Sequence, residues 1–368
     1  MYDISGKKVI VFGTGSYMER NYQTLQDFKP ACFWDNNDKL EGKTVLSLHV
    51  HKPTSKNNNE SVFIVIASSY YNEIHNQLED LGFEYEADFC YLHDVNNYLN
   101  IPMIPNGHYY SPVPNMKELF FGEPTNRYQR SKELQGIDLN DQTQLHYFNL
   151  FLQNNEEFNS QLFVRFSLDN DFFGAADALS LYTICKEKKP RKIIEVGSGH
   201  TSALFLDCNN FLKTNTVFTF IEPFPERLYS MLNEEDLRST SIHVNKVQSI
   251  HPSVFEQLNK NDILFIDSSH VSKFESDVNY LFFEILPQLK KGVIIHIHDI
   301  FNNFEYPTSW LYNENRFWNE AYIVRAFLQF NDSYKIIFWD HYMLKKHPES
   351  KPENINGFGA SIWIEKVK

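Results

Sequence analysis

Cysteine is scarce in this chain of 368 residues, and the four present (Cys32, Cys90, Cys185 and Cys208) are scattered, with no C-x-x-C spacing. That excludes a disulfide framework and suits free thiols in a reducing compartment. A basic excess is missing as well. The formal charge is −13, which argues against a nucleic-acid backbone as the main partner. No apolar run reaches the length of a membrane span. The opening MYDISGKKVIVFGTG lacks a secretory leader's layout, because its apolar run is short and leads into a glycine turn. The expected location is therefore the cytoplasm. No internal repeat is visible. What the chain does have is core-forming material: 42% hydrophobic residues, with 32 Phe and 20 Tyr. Its length calls for two domains.

The first begins KKVIVFGTGSYMERNYQTL, a β-branched strand running into Gly13 and Gly15 and then a helix. ACFWDNND supplies a second strand ending at Asp35, and SVFIVIASS a third. This βαβ rhythm predicts a parallel sheet. Asp35 lies about where a dinucleotide fold places its ribose acid. The third glycine of G-x-G-x-x-G is absent, because position 18 is Met. Two readings stay open: nucleotide or nucleotide-sugar binding, and a turn that needs glycine for steric reasons alone. Gly13-Thr14-Gly15, Trp34-Asp35-Asn36-Asn37 and Ala67-Ser68-Ser69 resemble a small Rossmann-like domain of bacterial polysaccharide-modifying proteins.

NIPMIPNGHYYSPVPN (100–115) carries four prolines and a glycine, so it reads as a linker or ordered loop. Its His108, Tyr109 and Tyr110 suit either an aromatic flap over a ligand or packing against a domain surface. The expected division is a Rossmann-like domain over 1–99, a linker and helical extension over 100–165, and a second α/β domain over 166–368.

That second domain carries the stronger signal. PRKIIEVGSGHTSALFL is a strand, a glycine turn and a helix start. VFTFIEPFPERL is a strand ending in Glu222, placed to accept ribose hydroxyls. SIHVNKVQS adds a third strand with Gln248 past its end, NDILFIDSSH a fourth ending in Asp267, and GVIIHIHD a fifth ending in Asp299. In an open parallel sheet ligands bind beyond the carboxyl ends of the strands. Glu222, Asp267 and Asp299 in series mark that edge as a site.

These residues resemble a class I S-adenosylmethionine-dependent methyltransferase, with Glu195-Val196-Gly197-Ser198-Gly199 as its first motif. IEPFPERL, NDILFIDSSHVSKFESDVNYLFFEILPQLKKGVIIHIHDIF, FEYPTSWL and NEAYIVRAFLQFN resemble a family of bacterial methyltransferases common among polysaccharide genes, over about two thirds of the chain. The resemblance implies a doubly wound α/β sheet and S-adenosylmethionine held by Glu195, Gly197, Ser198, Gly199, Glu222, Gln248 and Asp267. It also implies a sugar or glycan acceptor whose hydroxyl is methylated. A dinucleotide is the rival cofactor, but EVGSG lacks the third glycine of a pyrophosphate turn.

A sugar hydroxyl needs a base at neutral pH. His270, three residues after Asp267, has the right ordinary pKa, and Asp267, His270 and Asp299 form the candidate catalytic set. Metal-dependent sugar O-methyltransferases of macrolide biosynthesis are similar in having Asp-x-x-His after strand four and Glu-Asp after strand five. That likeness implies Asp267, His298 and Asp299 as ligands of a divalent metal. Here His298 replaces the Glu, which points either to Mn²⁺, Zn²⁺ or another transition metal, or to no metal. His296, on the same face as His298 but deeper, reads as a hydrogen-bonded core residue. Glu320 and Arg325 either line the acceptor pocket or form structural ion pairs. Tyr306 and Trp310 either stack on a sugar ring or fill the core. Two other functions stay open: a nicotinamide- or nucleotide-sugar-dependent enzyme working through the first domain, and a non-catalytic S-adenosylmethionine-binding protein. Acceptor identity and oligomeric state are not legible in the sequence.

Overall fold

The computed structural model describes residues 4, 6–57, 61–92, 104, 106–115, 134–158 and 162–368. Residues 100–103 and 105 of the proline-rich run lie outside the described residues, and the rest of that run forms turns. The chain divides into two compact units, Met1–Phe121 and Gly122–Lys368. The stretch 100–165 expected to separate the domains is itself divided between them.

In the first unit the strands are β1 (Lys8–Phe12), β2 (Cys32–Trp34), β3 (Thr44–Val45), β4 (Leu48–His51), β5 (Val62–Ile66) and β6 (Phe89–Tyr91), in the order β3-β4-β2-β1-β5-β6. β1 pairs in parallel with β2 and β5, as the βαβ rhythm predicts. The β3–β4 hairpin and β6 are additions. The helix after the glycine turn, α1 (Ser16–Arg20), is only five residues long.

The second unit holds β7 (Lys192–Val196), β8 (Val217–Ile221), β9 (Ser241–His243), β10 (Ile263–Ile266), β11 (Ile294–Ile297), β12 (Tyr334–Trp339) and β13 (Ile362–Lys366). Their order is β12-β13-β11-β10-β7-β8-β9, parallel except for β13. Strands buried on both faces read as continuous apolar runs. Alternation sends Ile193, Phe265 and Ile294 into one core layer and Ile194, Leu264 and Ile295 into the other. The α/β class with two Rossmann-like units is thus the observed fold.

Helices cover both faces. α2 (Asp141–Asn154) and α3 (Ala175–Lys188) supply Phe148, Phe151 and Tyr182 to the first layer, together with Phe205 of α4 (His200–Leu212). α5 (Glu320–Leu328) supplies Ala321, Val324 and Leu328 to the second. The chain first runs outward from β7 to β8 and β9, then returns to β10 on the other side. The reversal leaves a crevice beyond the carboxyl ends of β7 and β10.

Candidate active site

The glycine turn after β7 sets the geometry. Gly197 has φ +84°, and a Cβ there would lie 1.7 Å from the Asp267 carbonyl oxygen. Only glycine lets the ends of β7 and β10 approach so closely. Glu195, fully buried and lining neither cleft, accepts hydrogen bonds from the Thr201 and Ser202 hydroxyls, while Ser202 Oγ accepts the Gly199 N–H at 2.9 Å. Burial pushes the Glu195 carboxyl up to about 8 despite its two hydroxyl donors. Its observed place is beneath the turn, bracing the start of α4.

Two adjoining clefts share Gly197, Glu222, Asp267, Ser268 and Ser269. The larger, about 1060 Å³, adds Lys246, Val247, Gln248, Phe274, Tyr280 and Phe283. Glu222 accepts the Phe224 N–H at 2.8 Å and the Ser198 N–H at 3.2 Å, and burial raises its carboxyl. Gln248 lines this cleft but donates to the Glu275 carbonyl at 2.9 Å, so it also holds the cleft's outer loop. The buried Ser198 lines the second cleft, and its hydroxyl interacts with the Glu195 carboxyl. A cleft of this size, a carboxylate at the β8 end and a turn without Cβ fit an adenosyl cofactor with no pyrophosphate.

The smaller cleft, about 630 Å³, contains His270, His298 and Asp299. His270 Nδ1 lies 2.8 Å from Glu320 Oε2, and both side chains are buried. The His270 carbonyl also accepts the Asn319 and Glu320 N–H groups, each at 3.1 Å, so the turn after β10 is clamped to the start of α5. With the Nδ1 proton directed to Glu320, Nε2 faces Asp267 Oδ1 at 3.3 Å and Asp299 Oδ2 at 3.6 Å. Burial alone would lower the His270 pKa, but hydrogen bonding to Asp267 and Glu320 outweighs it and raises the pKa well above the ordinary value. His270 and Asp299 sit at φ +58° and +57°, left-handed conformations that cost non-glycine residues energy and are held by their surroundings.

Metal ligation finds less support in this geometry. The gap between the two carboxylates faces an imidazole nitrogen, and His298 Nε2 lies 3.8 Å from Asp299 Oδ1. Among the described residues no group of three His, Cys, Asp or Glu side chains is placed to hold a metal ion. The set Asp267, His298 and Asp299 is gathered in one place, with His270 Nε2 beside both carboxylates.

His296 is fully buried, stacked on Phe265 at 3.8 Å, with Nε2 2.9 Å from Ser361 Oγ. Ser361 in turn donates to Asp177 at 2.7 Å, so His296 belongs to a structural network. Tyr306 is placed in the core, where its hydroxyl accepts the Ala321 N–H at 3.1 Å. Trp310 lines the second cleft. His108, Tyr109 and Tyr110 belong to the first unit and pack as tilted rings on one another, with Tyr109 80% exposed. Sequence reasoning missed Trp318, which packs on His270 at 4.3 Å, and Arg316, Arg227 and Phe172 of the same cleft. The aromatic and basic spacing of ENRFWNE was the signal for Arg316 and Trp318; Arg227, in IEPFPERL, and Phe172, in DNDFFG, had none.

The first unit's turn differs from that of the second. Asp35 Oδ2 accepts the Thr14 N–H and hydroxyl at 3.1 and 2.5 Å, and Oδ1 accepts the Asn37 N–H at 2.8 Å. A Cβ at Gly13 would lie 2.7 Å from the Ala67 carbonyl oxygen, so that glycine has a steric reason to be there.

Comparison with known proteins gives two domain matches: a methyltransferase domain over residues 194–300 and a C2185-like N-terminal domain over residues 5–87. An uncharacterized protein of Archaeoglobus fulgidus is 30% identical over 169 residues, which span 44% of this chain and 76% of that protein. Among solved structures, the O-methyltransferase TomG of Streptomyces achromogenes, in complex with S-adenosylmethionine, is 13% identical with a TM-score of 0.37. The match covers 60% of this chain and 89% of TomG. CmcI with magnesium and S-adenosylmethionine is 18% identical with a TM-score of 0.34, over 53% of this chain and 72% of CmcI.

Proposed function

The chain belongs to the family of the Archaeoglobus fulgidus protein and carries a class I, S-adenosylmethionine-dependent methyltransferase domain, and from that premise we propose that it methylates a hydroxyl of a sugar or glycan precursor of a surface polysaccharide. The observation that carries the reading is the buried His270–Glu320 pair, whose imidazole lines the smaller cleft. In the proposed assignment Glu222, Gly197, Ser198, Gly199 and Gln248 line the cofactor's seat and Asp267 closes it. S-adenosylmethionine supplies an electrophilic methyl group there.

The chain's own part is to orient the acceptor and take its proton. His270 Nε2 accepts the hydroxyl proton, Glu320 fixes the tautomer through Nδ1, and Asp267 and Asp299 stabilise the imidazolium that results. Trp310 and Trp318 line the same cleft as aromatic walls for an acceptor. The four cysteines are all free and buried, which suits a reducing, cytoplasmic setting.

The test is formation of S-adenosylhomocysteine from S-adenosylmethionine with sugar and nucleotide-sugar acceptors, using wild type and His270→Ala. The expected result is turnover with a glycosyl acceptor, lowered at least about 100-fold in the variant. Turnover that His270→Ala leaves unchanged rejects the base assignment. Cofactor binding with no turnover on any hydroxyl acceptor supports a non-catalytic binding protein instead.

A further inference from the structure

One element of the second cleft has no part in handling the cofactor or the proton. The short helix Thr308–Glu314 ends at Asn315, in the left-handed conformation at φ +54°, and the Arg316 N–H returns to the Trp310 carbonyl at 3.0 Å. This closing turn folds the chain back on itself. It carries the Arg316 guanidinium over the Trp310 ring at 4.7 Å and the Trp318 ring at 4.9 Å. The two indoles meet edge to face at 5.4 Å, and Trp318 lies on the His270 ring at 4.3 Å. A cation held between two rings has lost much of its freedom, so an anion that meets it costs little further ordering. Its internal partner is Glu314, 2.5 Å away, with both side chains more than a third exposed. Such a surface pair is weak and easily exchanged for a ligand anion.

Charge sharpens the point. The chain carries −13 overall, and the acids of this cleft gather around His270 and the strand ends. An anionic acceptor would be repelled by that field unless a fixed cation received it. Trp318 touches both the Arg316 guanidinium and the His270 ring, so cation and proposed base line one cleft.

We infer that the acceptor is an anionic sugar, its carboxylate or phosphate held by Arg316 on the Trp310–Trp318 clamp while its hydroxyl meets His270. This rests on the methyltransferase reading of the same site.

Because the cation sits on two indoles, its capture by a ligand changes tryptophan emission. The full chain, loaded with S-adenosylhomocysteine, is titrated with glucuronate, glucose 1-phosphate and methyl glucoside, following fluorescence. At least one charged sugar should bind about tenfold or more tightly than methyl glucoside, and Arg316→Gln should abolish that preference. Glu314→Gln, which removes the internal competitor, should tighten the charged sugar several-fold, an opposite change that a folding defect cannot imitate. Preference for glucuronate assigns a carboxylate, and preference for glucose 1-phosphate a phosphate. Equal or absent response to the charged sugars, or binding unaffected by Arg316→Gln, overturns the inference. Calorimetry with S-adenosylhomocysteine alone separates the two claims: no binding there rejects the methyltransferase reading itself, while binding without charge preference rejects only the anionic acceptor.

Discussion

Replacing Gly197 by alanine puts the close approach of β7 and β10 to direct test. The new Cβ would lie 1.7 Å from the Asp267 carbonyl oxygen and 2.8 Å from its carbon, whereas ordinary contact begins at 3.4 Å. The two strand ends must therefore separate by about 1.7 Å (3.4 less 1.7). That movement breaks the bond from the Asp267 N–H to the Val196 carbonyl, now 2.9 Å. A lost backbone hydrogen bond, a left-handed alanine and overpacking together cost about 3–6 kcal/mol. Because the displaced residue is Asp267, the site itself deforms, and a misplacement of about 1 Å costs on the order of 100-fold in rate. Calorimetric melting should fall by about 10 °C or more, and titration should show cofactor affinity lost in parallel. Gly15→Ala is the control: no atom lies within 4 Å of its would-be Cβ and its φ is not positive, so melting should stay within about 0.5 kcal/mol of wild type. A Gly197→Ala protein that melts and binds cofactor as wild type does would refute the argument.

Three further outcomes follow from the site's electrostatics. Glu195 is raised to about 8 by burial, so its neutral form stabilises the fold at low pH and that contribution is lost as pH rises through about 8. Glu195→Gln should flatten this decline in urea titrations from pH 5 to 9, and an unchanged slope would count against a protonated Glu195. His270 is held above its ordinary pKa by Asp267 and Glu320, so the alkaline-rising limb of kcat/KM should move to lower pH in Glu320→Gln. An unmoved limb would remove Glu320 from the positioning role. Excess chelator should leave kcat/KM within about twofold, since an imidazole nitrogen faces both carboxylates. Loss of activity restored by Mn²⁺ or Zn²⁺ would reverse that assignment.

The sequence made the parallel core readable because β7, β8, β10 and β11 are mostly apolar, and β8, β10 and β11 are followed by Glu222, Asp267 and Asp299. Strand-end position is a local property, and Asp267, His270 and Asp299 do meet in one cleft. Features that depend on distant partners were out of reach. KIIFW and IWIEK pair antiparallel as β12 and β13, and nothing in either stretch announces the other. The ion pair of Glu320 with His270 spans 50 positions, so the sequence left it level with an ordinary structural pair. Glu195 and Tyr306 carry residue types that suit a site, yet their direction is set by packing: one braces α4, the other the start of α5. Arg316 reaches the cleft only through the left-handed turn at Asn315.

The central claim is that the crevice beyond β7, β8 and β10 holds S-adenosylmethionine through Glu222. Calorimetric titration of the full chain with S-adenosylmethionine, for wild type and Glu222→Ala, tests it most directly, with NAD as the rival ligand. The account predicts saturable binding of S-adenosylmethionine that weakens about tenfold or more in the variant, and no heat with NAD. Absent binding of S-adenosylmethionine, or equal affinity in wild type and Glu222→Ala, would contradict it.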